Sequence, residues 1–130
     1  MAWEIPNLDF SLDAGSDLSE LQYRFIGVDA DGNADIATGI GETGPDNVVG
    51  VLQNDPLEGE AAGIRSEGIT KVVAAAAEDI DPGDFVGVNT DGEAIEVATG
   101  VYYGIALDNQ DETEEHIITI LLRHGYVPGA

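Results

Sequence analysis

Apolar residues along this chain recur at short, alternating intervals, broken every few positions by Gly, Pro or Asp. In "FIGVDADGNADIATG" (residues 25–39) the alternation runs up to Asp31-Gly32 and resumes beyond it. An Asp-Gly pair between alternating runs predicts a β-hairpin, because the tight turn needs left-handed backbone that glycine adopts freely. The pattern returns in "FVGVNTDGEAIEVATG" (residues 85–100) around Asp91-Gly92, offset by 60 residues at its start and by 61 at its end. "VVGVLQN" (residues 48–54) then matches "YYGIALDN" (residues 102–109). Each copy reads as strand, Asp-Gly turn, strand, glycine-containing loop, strand.

The remaining segments extend this picture. "AAGIRSEGITKVVAAAA" (residues 61–77) predicts two short strands flanking Gly68, and Pro82-Gly83 predicts a turn before the second hairpin. "EHIITILLRH" (residues 115–124) is a nearly continuous apolar run suited to a strand buried on both faces. Only "GSDLSELQY" (residues 15–23) and the alanines at 74–77 could carry a helical turn, and neither sustains a 3.6-residue period. The paired Tyr102-Tyr103 should place one ring inward and one outward, the latter a candidate contact. The expectation is an all-β fold, a small antiparallel β-barrel or sandwich with two similar hairpin units and an extended N-terminal arm. Residues 1–20 read as the arm or lead-in and residues 21–130 as the body.

The arm alternates apolar with polar residues: Trp3 and Ile5, then Leu8, Phe10 and Leu12, with Pro6-Asn7 shifting the phase. Such a segment can order by adding a strand to another protein or a neighbouring subunit. Equally, it can be the first edge strand of its own fold.

Charge changes the picture most. Four Lys and Arg stand against 26 Asp and Glu, for a net charge of −22 over 130 residues. A field of that sign repels phosphate, which argues against nucleic acid and anionic membrane as partners. Acidic disordered chains are poor in apolar residues, whereas 43% of this chain is hydrophobic, so it should fold as one domain. Acid-rich, lysine-poor surfaces suit a cytoplasm of molar salt, where screening relieves self-repulsion. An ordinary acidic protein working on a basic partner is the alternative. No cysteine is present, no run approaches the roughly 20 apolar residues of a membrane span, and the first residues do not read as a signal peptide.

Candidate chemistry is thin. Asp29, Asp31, Asn33 and Asp35 alternate as calcium ligands do, but the positions for the loop glycine and the bidentate glutamate hold Ala34 and Ile40. Turn formation also favours Asp and Asn there. Gly39, Gly41 and Gly44 spell a dinucleotide fingerprint, yet Pro45, Asp46 and a strand-like run follow in place of a helix. His116 and His124 lie near no nucleophile motif, and Ser66 lacks the glycine that a nucleophile elbow requires. No catalytic residue, cofactor or metal is expected.

"GVLQNDPLEGEAAGIRSEGITKVV" carries the most specific signal: Gly50, Val51, Leu52, Gln53, Asn54, Asp55 and Pro56, then Gly59-Glu60-Ala61 and "GITKV" from Gly68. With "AGSDLSELQYRFIGVDADG", "DPGDFVGVNTDGEA" and "YYGIALDN…HIITILL", it resembles the capsid cement, or decoration, proteins of tailed viruses from about Asp13 to Leu122. The resemblance implies a virion structural protein on the outer surface of the capsid, assembled in the host cytoplasm. It implies the major capsid protein and further copies of itself, as a homotrimer at threefold or quasi-threefold positions, as partners. The acidity then suggests a virus of a halophilic archaeon. On this reading Trp3, Ile5, Leu8, Phe10 and Leu12 contact the capsid or a neighbouring subunit, and residues 50–56 form a structural loop. The competing expectation is a free-standing acidic β-barrel that binds a ligand or peptide in a halophile.

Overall fold

Both Asp-Gly pairs sit at hairpin tips in the computed structural model, which describes residues 4–39, 44–110 and 116–129. Strands β2 (Phe25–Val28) and β3 (Ala34–Ile36) form the first hairpin, and β6 (Phe85–Val88) and β7 (Ala94–Glu96) the second. Each is joined by a third antiparallel strand, β4 (Gly50–Leu52) or β8 (Gly100–Ala106). The long strands β1 (Ile5–Asp13), β5 (Ala61–Ala74) and β9 (His116–Val127) complete an all-β fold with no helix among the described residues. The two segments that could have carried a helical turn form turns and irregular chain, except that Ala74 ends β5.

The repeat runs deeper than the hairpins. Phe25 lies opposite Val51 and Ile26 opposite Gly50, just as Phe85 lies opposite Ile105 and Val86 opposite Gly104. Leu52 pairs with Ile64 as Ala106 pairs with Ile120. Phe10 and Asp9 then face Ile64 and Arg65, as Thr70 and Ile69 face Ile120 and Leu121. Even the parallel link recurs, Ala14 to Ala34 in one unit and Ala74 to Ala94 in the other. Strand β5 therefore ends the first unit and begins the second. In the second unit the pairings β5–β7–β6–β8–β9–β5 close a ring. In the first, a single bridge connects the end of β1 to β3.

Core packing follows the same correspondence. Ala14, Leu18, Ile26, Ala34, Leu52, Ala62 and Ile64 fill the first unit. Ala74, Ile80, Val86, Ala94, Ala106, Ile118 and Ile120 fill the equivalent places in the second. Phe25, Ala37, Val48 and Val51 leave the first unit's outer face and pack into the second core.

Two expectations need correction. Residues 61–74 form one continuous 14-residue strand rather than two around Gly68. The reason is that Gly68 pairs with Pro6 on one side and Leu122 on the other, so ladders carry the backbone through it. Strand β9 is not buried throughout: Ile118, Thr119 and Ile120 are buried, whereas Ile117 is 40% exposed and Arg123 is exposed.

Candidate functional site

Residues 5–13, half of the expected arm, are an edge strand on their own body, antiparallel to β5 from Ile5–Ile69 to Asp13–Ala61. Pro6, which has no N–H to donate, is compatible with an edge position. Ile5, Leu8 and Phe10 are 54%, 49% and 37% exposed, while Leu12 packs on the first core. Trp3 lies outside the described residues. An edge strand with exposed apolar side chains offers main-chain hydrogen bonds and pockets to an incoming strand.

What holds β1 down is a buried cation. Arg65 is only 8% exposed. Its Nε and Nη2 donate to Asp9 Oδ1 and Oδ2 at 2.9 and 3.1 Å, and its Nη1 donates to Glu4 Oε2 at 2.8 Å and to the Ile69 carbonyl at 3.3 Å. Lys71 Nζ lies 3.5 Å from Glu4 Oε1. The bidentate Asp9 contact is the main reason that the guanidinium holds its proton more tightly than usual. Sequence reasoning passed over Arg65. The available signal was scarcity: with four basic residues in 130, one that follows the apolar start of a predicted strand, "AAGI", must find acid partners if it is buried.

Gly68 lets β1 and β5 meet. Its φ is +111°, and a Cβ there would stand 2.3 Å from the Ile5 carbonyl oxygen and 2.8 Å from the Asn7 nitrogen.

The motif at residues 50–56 stitches strands together. Gly50, Val51 and Leu52 are buried in β4. Gln53 Nε2 donates to the Val51 carbonyl and to Thr70 Oγ1, and Asn54 bonds the Ala61 carbonyl and the Gly63 nitrogen. Leu18 N donates to the carbonyl of Pro56, and Asp55 is exposed. At Gly50 a Cβ would lie 2.3 Å from the Arg65 carbonyl oxygen, so only glycine allows that approach.

The acid ladder of the first hairpin is spent on turns. Asp29 Oδ1 accepts from the nitrogens of Asp31 and Asn33, as Asn89 Oδ1 does from Asp91 and Glu93. Asp35 Oδ1 accepts from Ser16 Oγ and the Ile36 nitrogen. Among the described residues no three His, Cys, Asp or Glu are grouped to hold a metal. Gly44 leads through irregular chain into β4, with no helix among the described residues there to face a pyrophosphate; Gly41 lies outside the described residues. Two open clefts, of about 350 and 390 Å³, meet at Asp35, Gly44 and Pro45. Tyr103 turns inward against Phe25 and His124, and Tyr102 turns outward and stacks on Phe85 with centroids 4.4 Å apart.

Comparison with known proteins adds three findings. The family of phage cement proteins matches residues 11–124. The solved structure of the N base of head fiber gp8.5 in bacteriophage phi29 is similar in fold, with a TM-score of 0.59 at 20% identity. That match covers 94% of this chain and 98% of the other. No curated protein matches.

Proposed function

Because the chain belongs to the phage cement protein family, a family of capsid-associated structural proteins rather than enzymes, we propose that it decorates the outer surface of a mature icosahedral head. It binds the major capsid protein there, as homotrimers at threefold or quasi-threefold positions, and stabilises the shell. The observation that carries this reading is the match over most of the chain, joined to a body with an apolar edge strand. Cementing requires only differential affinity: a protein that binds the expanded shell and not its precursor stabilises the bound state by mass action. Repetition over a lattice multiplies weak contacts through effective concentration.

In this scheme the N-terminal arm, with Trp3, Ile5, Leu8, Phe10 and Leu12, supplies a strand edge to the capsid or a neighbouring subunit. Co-sedimentation with expanded, undecorated heads in molar salt tests it. Saturable binding in multiples of three per threefold site, lost on deleting residues 1–12, is the expected result. Binding that survives the deletion removes the arm from the contact, and absence of binding removes the cement reading.

The charge of −22 supports the further reading of a salt-loving host. Self-repulsion of unscreened carboxylates destabilises a compact state, and the Debye length falls from about 30 Å at 0.01 M to 3 Å at 1 M salt. The melting temperature is therefore expected to rise steeply from dilute buffer to molar KCl. A curve that does not move with salt refutes the halophilic assignment.

A further inference from the structure

The outer face of the second unit carries an apolar row that runs across five strands. Phe85 lies opposite Ile105, Ile105 opposite Leu121, Leu121 opposite Ile69, and Ile69 opposite Ile5. Side chains directly opposed in antiparallel ladders project from the same face. The first four are half-buried, and Ile5 is 54% exposed. Tyr102 extends the row by stacking on Phe85.

The internal repeat shows how such a face is used. Its equivalents in the first unit are Phe25, Val51, Arg65 and Asp9. Phe25 and Val51 are fully buried, because the second unit covers them. That cover includes the tip of the second hairpin: Phe25 N donates to the Gly92 carbonyl, Arg24 Nη1 donates to the Asp91 carbonyl, and Arg24 lies 3.5 Å from Glu93. On the second unit the same kind of face has no such cover among the described residues.

A second copy is a poor candidate to supply it. Continuing the internal contact between copies would set Asp84, the counterpart of Arg24, against Asp31 and Asn33, the counterparts of Asp91 and Glu93. The cation that secures the internal contact is replaced by an acid. Asp84 also stands in an acidic group with Glu78, Asp79 and Glu96. Repulsion, first from Asp84, raises the pKa of the Glu96 carboxyl.

We infer that the row formed by Ile5, Ile69, Leu121, Ile105 and Phe85 is the docking face for a segment of the major capsid protein that lays apolar side chains along it and sets a lysine or arginine against Asp84 and Glu96. This rests on the cement reading and gives it a surface on the body, separate from the outer edge of β1. The apolar row supplies affinity, and the acidic end supplies orientation and partner choice.

A photo-crosslinking residue placed at Leu121 tests the face, with one at Leu57, 53% exposed on the loop between β4 and β5, as control. On undecorated expanded heads, position 121 should crosslink to the major capsid protein and position 57 should not. Crosslinks from 121 to another copy of this chain, or none to the capsid on heads that are decorated, overturn the inference. Unmodified protein that fails to decorate heads overturns the cement reading itself, which separates the two failures. Leu121→Asp should weaken head binding by at least about tenfold, and the surface change Glu96→Lys by several-fold at low salt with the fold intact. Tighter or unchanged binding by a folded Glu96→Lys protein contradicts the cationic partner.

Discussion

Replacing Arg65 by leucine is expected to lower the unfolding free energy by about 2–4 kcal/mol and to strip protection from β1. The guanidinium is buried and holds Asp9 and Glu4 against the body. Removing one partner of a buried pair costs about 3–5 kcal/mol because the other charge is left unpaired. The Asp9 side chain is 45% exposed and can rehydrate, which moves the cost toward the lower end. The second unit suggests the control, since Ile69 and Leu121 stand where the first unit has Asp9 and Arg65. The double variant Asp9→Ile/Arg65→Leu should recover at least half of the loss. Urea unfolding gives the free energies, and hydrogen exchange over residues 5–13 reports the strand. A single variant with wild-type stability and a protected β1 would show that backbone pairing alone retains the strand.

Gly68→Val should have a comparable or larger effect without touching a charge. The backbone at φ +111° is strained for any residue with a Cβ, and here that atom would collide with Ile5 and Asn7 main chain rather than a flexible side chain. Strain of this kind costs about 1–3 kcal/mol, and displacement of the β1 ladder adds to it. Exchange should rise first at residues 5–9 while the aromatic core around Phe25 and Tyr103 keeps its near-ultraviolet signal. The loss should be similar in dilute buffer and molar KCl, whereas an effect that vanished in salt would place its origin in the neighbouring Glu4 and Asp9 charges.

The two hairpins were legible because the Asp-Gly turns and their apolar alternation survive in both copies. The equivalence of β1 with β5, and of β5 with β9, was not. Backbone ladders can be conserved while side chains diverge, and Asp9–Arg65 against Ile69–Leu121 leaves no similarity to align. Gly68 read as a break because isolated glycine weakens a strand; here it marks a close backbone approach. For the N-terminal segment, alternation gave two readings, and the structure sets residues 5–13 on their own body. Periodicity alone cannot choose, since an edge strand and a detachable arm share the same pattern. The apolar row across five strands was invisible for a related reason: its members come from segments whose register only tertiary pairing establishes.

The shared strand also governs how the protein is made. During synthesis the first unit has all its strands once β5 is out at Ala74, but β9 ends at Val127. At about 5–20 residues per second, the C-terminal half of β5 waits several seconds with one edge bare. A bare edge invites pairing with other nascent chains. Uniform negative charge keeps such chains apart, so the acidity of the chain also guards this interval on the ribosome.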